Sequence, residues 1–438
     1  MNDMVIVVRS LRARTLASVV TAAMVAVAVA LLLVLLSMRT AASDAFRRGT
    51  GNVHLLVSAD ASPLVAVLNG LFYANPPANP ISHTKFAEIR DSFPWSWAIP
   101  TQLGDSYRGS PVVATSPEFL SAFEPSVGRP FTLRDGRAFV APFEVVAGSD
   151  AARAHGLALG SKIALTHGAG ALAQGGHEHT DHPYAVVGIL SPTGSAHDRA
   201  LFTNLESSWV IHAEERHERE SEGEHEDHAA GESGDDHDHR HVEVADLTDA
   251  DRLITGILLR IPTRPGSDAS ASLATQFDRL RRDTSITVAQ PAQQIGRLMA
   301  IVGDIDWLFI AMAVVVLLSS AVSILLAMVA SMELRRRQVA ILRVLGASSW
   351  RVFSLAVTES TLIGLVGSLA GCAIAVGGCA LATTLLADRI GLALSGAIDP
   401  RSAILVSLGA IVLSAIAGIV PAAKAYSTTV ADHLRPIA

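Results

Sequence analysis

The stretch WLFIAMAVVVLLSSAVSILLAMVASM, residues 307–332, runs straight into ELRRRQVAILR, residues 333–343. The first part carries no charge over 26 residues, and a bilayer core of about 30 Å needs roughly 20 apolar residues in a helix. It shows no period-two alternation, so a membrane-spanning α-helix fits and a barrel strand does not. The second part, continued to Glu359, holds Arg335, Arg336, Arg337, Arg343 and Arg351 in one short connection. An excess of arginine in a short loop marks the cytoplasmic side.

Working outward, three further charge-free runs have spanning length: 15–38, 360–387 and 402–423. The run at 15–38 has basic residues in front and small residues behind, as a secretory signal would. Its apolar stretch is longer than the roughly 7 to 15 residues of a signal core, so it reads as a retained helix. With 333–359 inside, helix 2 runs inward, helix 3 outward and helix 4 inward. Both termini (1–14 and 424–438) are then cytoplasmic, while 39–306 and the short loop 388–401 lie outside. The expected fold class is a membrane protein with four transmembrane α-helices plus a large mixed α/β extracytoplasmic domain between helices 1 and 2. In a Gram-negative cell that domain faces the periplasm.

Within 39–306, short β-branched or apolar runs at 112–114, 143–146, 162–165 and 185–190 are predicted strands. Helical stretches are predicted at 116–123 and 150–156, and the three prolines between 76 and 80 forbid a helix there. About 260 residues suffice for two subdomains, and no internal repeat is visible.

Half of all residues are apolar and 17% are charged, a balance that suits a membrane protein. The net charge of −7 is local: 212–241 holds twelve acidic residues against three arginines, a balance of −9, which leaves +2 elsewhere. The segment 213–240 is almost all Glu, Asp, His, Gly and Arg, and is expected to be a mobile insertion, because it offers little apolar surface to bury. Cys372 and Cys379 stand seven residues apart in an apolar run, roughly 10 Å along a helix, and so are not a disulfide pair.

Twelve of the 16 histidines fall between His167 and His241. One cluster is His177, His179, Asp181 and His182, just before a predicted strand; the other includes His225, His228, His237, His239 and His241. Imidazole and carboxylate suit zinc, copper or nickel, and histidine-rich tracts point to metal binding by composition. No HExxH, CxxC or spaced four-ligand pattern is present, and a solvated acidic tether is the alternative. The first cluster abuts predicted structure and is the better candidate for a defined site; the longer segment suits a loose collector of Zn2+.

The cytoplasmic stretch from Met332 to Ser348, with Glu359 opening the glycine-rich run to Gly371, resembles the FtsX/MacB-type ABC transporter permease family. The family pattern is a charged segment after helix 2, a Leu-Arg-x-Leu-Gly-Ala element, then a glutamate before a glycine-rich third helix. The order of helices, the start at Arg9-Ser10-Leu11, and the outer segments VAGSDAAR (146–153) and VVGIL (186–190) also resemble it. Gln338 departs from the glutamate often found there. The resemblance implies that Glu333, Arg336, Gln338, Arg343, Leu345, Gly346, Ala347 and Glu359 contact a separate ABC ATPase subunit. It also implies a permease dimer in the bacterial inner membrane, with ATP-driven closure passed through the helices to the outer domain. No Walker A pattern occurs in the chain, so ATP hydrolysis falls to a partner. Gly367 and Gly371 form a small-xxx-small pair suited to close helix packing, within the protomer or with a neighbour.

No nucleophile, acid pair or phosphate loop stands out, and the four spans carry no ionisable group of the kind found on an ion path. The chain is therefore expected to be a non-enzymatic permease subunit linked to divalent metal, surrounded by lipid, with no call for a nucleic-acid partner. Two alternatives stand beside this: a non-transporting regulator of a periplasmic partner such as a cell-wall hydrolase, and an exporter of a hydrophobic or lipidated substrate.

Overall fold

The computed structural model describes residues 3–12, 14–77, 79–167, 182–225, 242, 244–264, 270–344, 348–390 and 398–426. It divides into two units: a membrane unit of Met1–Ala42, Ala300–Ile390 and Leu394–Ala438, and an outer unit of Ser43–Met299 and Gly391–Ala393.

The chain opens with α1 (Asp3–Arg12) and the first apolar helix, α2 (Thr15–Thr50). The helix outlasts its predicted span of 15–38 because Arg, Asp and Ala after Met38 break no helical rule; they are merely polar or small. It stops at Gly51, whose φ of +56° suits glycine alone and where a Cβ would lie 2.2 Å from the Glu124 carbonyl oxygen.

The outer unit follows with β1 (Leu55–Ser58), α3 (Pro63–Phe72), β2 (Ile81–Ser82), α4 (His83–Asp91), β3 (Trp97–Tyr107), β4 (Ser110–Thr115) and α5 (Glu118–Ala122). It continues through β5 (Leu133–Gly136), β6 (Glu144–Ala147), α6 (Ser149–His155), β7 (Lys162–Ile163), β8 (Thr166–His167), β9 (Tyr184–Leu190), β10 (Leu201–Asn204) and α7 (Leu205–His225). It ends with β11 (Leu253–Ile254), β12 (Gly256–Arg260), α8 (Leu273–Leu280) and β13 (Thr287–Ala289). The three remaining helices are α9 (Pro291–Val344), α10 (Ser349–Ile390) and α11 (Pro400–Tyr426).

Among the described residues, eleven strands make one mixed sheet in the order β13-β1-β12-β3-β4-β10-β6-β9-β5, with β7 on β9 and β8 on β3. The pairs β4–β10 and β6–β9 are parallel and the others antiparallel. Side chains alternate between faces along a strand, and both faces are covered. Leu56, Val113, Val146, Phe202 and Leu258 pack on one side with α3 and the phenylalanines around α5. Leu55, Val57, Ile257 and Leu259 pack on the other beneath α4, α7 and α8. Burial on both faces explains why these strands read as continuous apolar runs and show no polar alternation.

The acidic insertion starts later than the sequence suggests. Residues 213–225, expected to be mobile, continue α7, and Ala213 is buried. Leu205, Trp209, Val210 and Ala213 form an apolar stripe at helical spacing that packs on the sheet, and the Glu and Arg that follow are good helix formers. Burial of each larger member of the stripe contributes about 2 kcal/mol, which holds the helix that composition alone would leave unstructured.

In the membrane unit, α2, α9, α10 and α11 are each long and apolar enough to cross a membrane. Gly367 and Gly371 of α10 lie against Ala22 and Val25, and Ala26 and Val29, of α2. Gly364 and Gly418 bring α10 and α11 together in the same way, at Ser414 and Ser360. Cys372 and Cys379 are both free thiols.

Candidate functional site

The polar face of α7 gathers the charged chemistry of the outer unit. The helix is anchored by Trp209, whose indole N–H donates to the Leu253 carbonyl at 2.6 Å and whose ring meets His83 edge-on at 5.2 Å. On the same helix stand His212, Glu214, Glu215 and Arg216. Arg216 pairs with Asp251. The imidazole of His212 lies between two carboxylates, with Nε2 3.6 Å from Asp105 and Nδ1 3.7 Å from Glu215. Asp105 is a buried carboxylate on β3, within the register shift between Leu103 and Ser106 that locally re-aims the strand. Burial pulls the His212 pKa down, but the two carboxylates outweigh it and raise the pKa to about 10. That ion pair stabilises the fold below the unfolded value near 6.5, and its contribution is lost as pH rises through about 10.

Glu214 holds a different arrangement. One carboxylate oxygen accepts from His182 Nε2 at 3.0 Å and from the Val242 backbone N–H at 2.9 Å. The other lies 2.9 Å from the same imidazole nitrogen. His182 stacks on Phe143 with centroids 4.8 Å apart and planes 9° apart. Phe143 itself has φ of +60°, a conformation that costs a non-glycine residue about 1 to 3 kcal/mol. It is held there by its N–H donating to Ser207 Oγ at 2.7 Å and by an edge-on contact with Tyr184.

Of the metal candidates, His182 is therefore placed on α7 through Glu214, and His225 is the last residue of α7. His177, His179, Asp181, His228, His237, His239 and His241 lie outside the described residues. Among the described residues, no group of three or more His, Cys, Asp or Glu side chains is arranged to hold a metal ion. Glu214, Asp105 and Phe143 escaped the sequence reading. The one signal that could have found Asp105 is that it is the lone charged residue of its strand.

A second polar cluster lies at 193–199, beside the end of α2. His197 is fully buried among the rings of Phe119, Phe123, Phe131 and Phe202. Its Nε2 donates to the Gly49 carbonyl at 3.3 Å, which leaves Nδ1 to accept from the Tyr73 hydroxyl at 2.6 Å. Both partners suit the neutral ring, and burial pushes its pKa down to about 4. Asp198 accepts from the N–H groups of Thr193 and Gly194, and Arg199 donates to the carbonyls of Phe72 and Tyr73. Gly148, at the start of α6, fits here because a Cβ would lie 2.4 Å from the Asp198 carbonyl oxygen and 2.6 Å from that of His197.

The residues implied to contact an ATPase are distributed over two helices. Glu333, Arg336, Gln338 and Arg343 fall on α9, and Leu345, Gly346 and Ala347 lie outside the described residues. Glu359, on α10, is buried and lies 3.8 Å from Arg14 at the start of α2. Arg14 also donates to the Ala327 carbonyl of α9 at 2.8 Å.

Four apolar helices with a mixed α/β domain between the first and second mark a multi-pass membrane protein. Two family models divide the chain between them: the MacB-like periplasmic core domain over residues 18–255 and the FtsX-like permease C-terminal domain over residues 310–430. The chain belongs to the FtsX/MacB family of ABC transporter permeases, whose ATPase activity resides in a partner subunit. The solved extracellular domain of the noncanonic ABC-type transporter YknZ from Gram-positive bacteria is similar over 54% of this chain and 98% of that one. Identity there is 7% and the TM-score 0.27, too distant a likeness to bear on function. No curated protein matches the chain.

Proposed function

We propose that the chain is the permease subunit of an ABC system in the bacterial inner membrane, working as a homodimer with both termini in the cytoplasm. A separate ATPase docks on 333–359, and its ATP-driven closure moves the periplasmic domain. What supports this reading is α9: one unbroken helix from Pro291 to Val344 places Ile295 in the core of the outer unit and Arg343 in the coupling segment. A continuous helix transmits displacement along its axis with little loss, because every backbone pair along it is hydrogen-bonded.

The movement is linked to divalent metal, most simply zinc, captured outside by His177, His179, Asp181 and His182 and collected by the histidines at 225–241. The support is chemical: imidazole and carboxylate donors alternate in both segments, and one of them, His182, is backed by a carboxylate, the arrangement that orients metal-ligating histidines.

The docking claim is tested by purifying the tagged chain from its native membrane. Wild type should carry an ABC ATPase with it, and Arg343→Glu should reduce the recovered ATPase about tenfold or more, as charge reversal at a contact does. Equal recovery with the reversed charge would move the docking site elsewhere.

A further inference from the structure

We infer that Arg14 is a positioning residue that ties α2 to the ATPase-docking segment 333–359, and that Glu359 closes this tie inside the helix bundle, off the docking surface. The inference rests on the docking reading above. It adds α2 to α9 as a route by which closure of the ATPase is passed outward.

Arg14 and Glu359 each stand one residue ahead of a charge-free run, 15–38 and 360–387. The fold brings them together: Arg14 Nη1 lies 3.8 Å from Glu359 Oε1, with the two side chains 20% and 11% exposed. Nη2 of the same guanidinium donates to the Ala327 carbonyl of α9 at 2.8 Å. A backbone carbonyl has two lone pairs, so Ala327 can accept this bond and keep the one within its own helix. Ala327 comes six residues before the docking segment begins, and Glu359 is the segment's last residue. One guanidinium therefore reaches both ends of the segment. Its own backbone is fixed to the first turn of α2, because the Ser18 N–H donates to the Arg14 carbonyl at 3.0 Å.

The next residue completes the node. Ser360 is fully buried, and a Cβ at Gly418 of α11 would lie 2.0 Å from its Oγ. At residues 359 and 360, then, α10 is joined to α2, through Arg14 to α9, and to α11. A buried ion pair adds little net stability, because desolvating both ions offsets their attraction. What the pair supplies is direction: the planar guanidinium fork holds two acceptors in a set geometry. A segment pushed by the ATPase cannot shift at its ends without moving Arg14 and the first turn of α2. A carboxylate that serves to meet a soluble partner stands in the open, whereas Glu359 is 8% exposed.

The test is hydrogen exchange on the full chain with its co-purified ATPase in nanodiscs, with and without a non-hydrolysable ATP analogue and magnesium. Wild type, Arg14→Gln and Glu359→Gln are compared, and the ATPase recovered with each is measured. In wild type the nucleotide should change exchange at 291–306 of α9 and at 39–50 of α2. Both variants should recover the ATPase at the wild-type level, keep the α9 response and lose the α2 response. A full α2 response in either variant, or none in wild type, would overturn the inference. So would loss of the ATPase from Glu359→Gln, which would place that carboxylate on the docking surface. No ATPase carried by wild type would overturn the docking reading, and the inference with it, before any exchange is measured. Should a glutamine variant fail to fold, Arg14→Lys decides instead, since it keeps the charge facing Glu359 but not the planar fork. Its α2 response should shrink, and a full response would overturn the inference.

Discussion

Gly371→Leu is expected to lower the melting temperature of the chain in micelles sharply, by a destabilisation of about 3 kcal/mol. A Cβ at Gly371 would lie 2.7 Å from the Ala26 carbonyl oxygen and 2.8 Å from Val29 Cβ. The first of these is backbone of α2 and cannot rotate aside, so the helices must part. Parting them also removes the close van der Waals contact that holds helices together in lipid, where there is no hydrophobic drive to replace it. Gly367→Leu should behave alike, since its Cβ would meet Val25 Cβ at 2.6 Å and the Ala22 carbonyl oxygen at 2.8 Å. The control lies on the same helix: a Cβ at Gly377 meets nothing within 4 Å. Gly377→Leu should melt at or slightly above wild type, because leucine favours a helix over glycine by about 0.5 to 1 kcal/mol. Equal melting of all three variants would contradict this packing.

Acid should destabilise the outer unit through His197. Its pKa is about 4 in the folded chain, against 6.5 in the unfolded one. Above pH 6.5 neither state carries the proton, and the group has no effect on stability. Between 6.5 and 4 the unfolded state binds a proton that the folded state refuses, so stability falls as pH drops. The full loss approaches about 3 kcal/mol. A His197→Gln variant cannot take up the proton in either state. It should be less stable than wild type at pH 7.5, yet its melting temperature should fall less on going to pH 4.5. Parallel falls in the two proteins would show that another group governs the acid response.

The spans and several strands were legible because each depends on local pattern. An uncharged run of 26 residues at 307–332 admits few other readings, and β9 (Tyr184–Leu190) needed only a short β-branched and apolar stretch. The helix ends were not legible, since α2 and α9 run on through polar residues that neither break nor announce a helix. The candidate site depends on contacts across long separations. Glu214 looks like one acid among twelve in 212–241, and only the fold brings His182 and Val242 to it. Gly148 sits inside the VAGSDAAR stretch read as a family element, but its reason is tertiary: two backbone carbonyls at 197 and 198 occupy the space a side chain would need.

The central claim, that metal outside is coupled to ATP hydrolysis inside, is tested most directly by the ATPase rate of the chain with its co-purified ATPase in nanodiscs, titrated with zinc at fixed magnesium and ATP. A saturable change in rate is expected, shifted to higher zinc by His182→Ala. An intact complex that hydrolyses ATP at one rate across the whole titration would contradict the account.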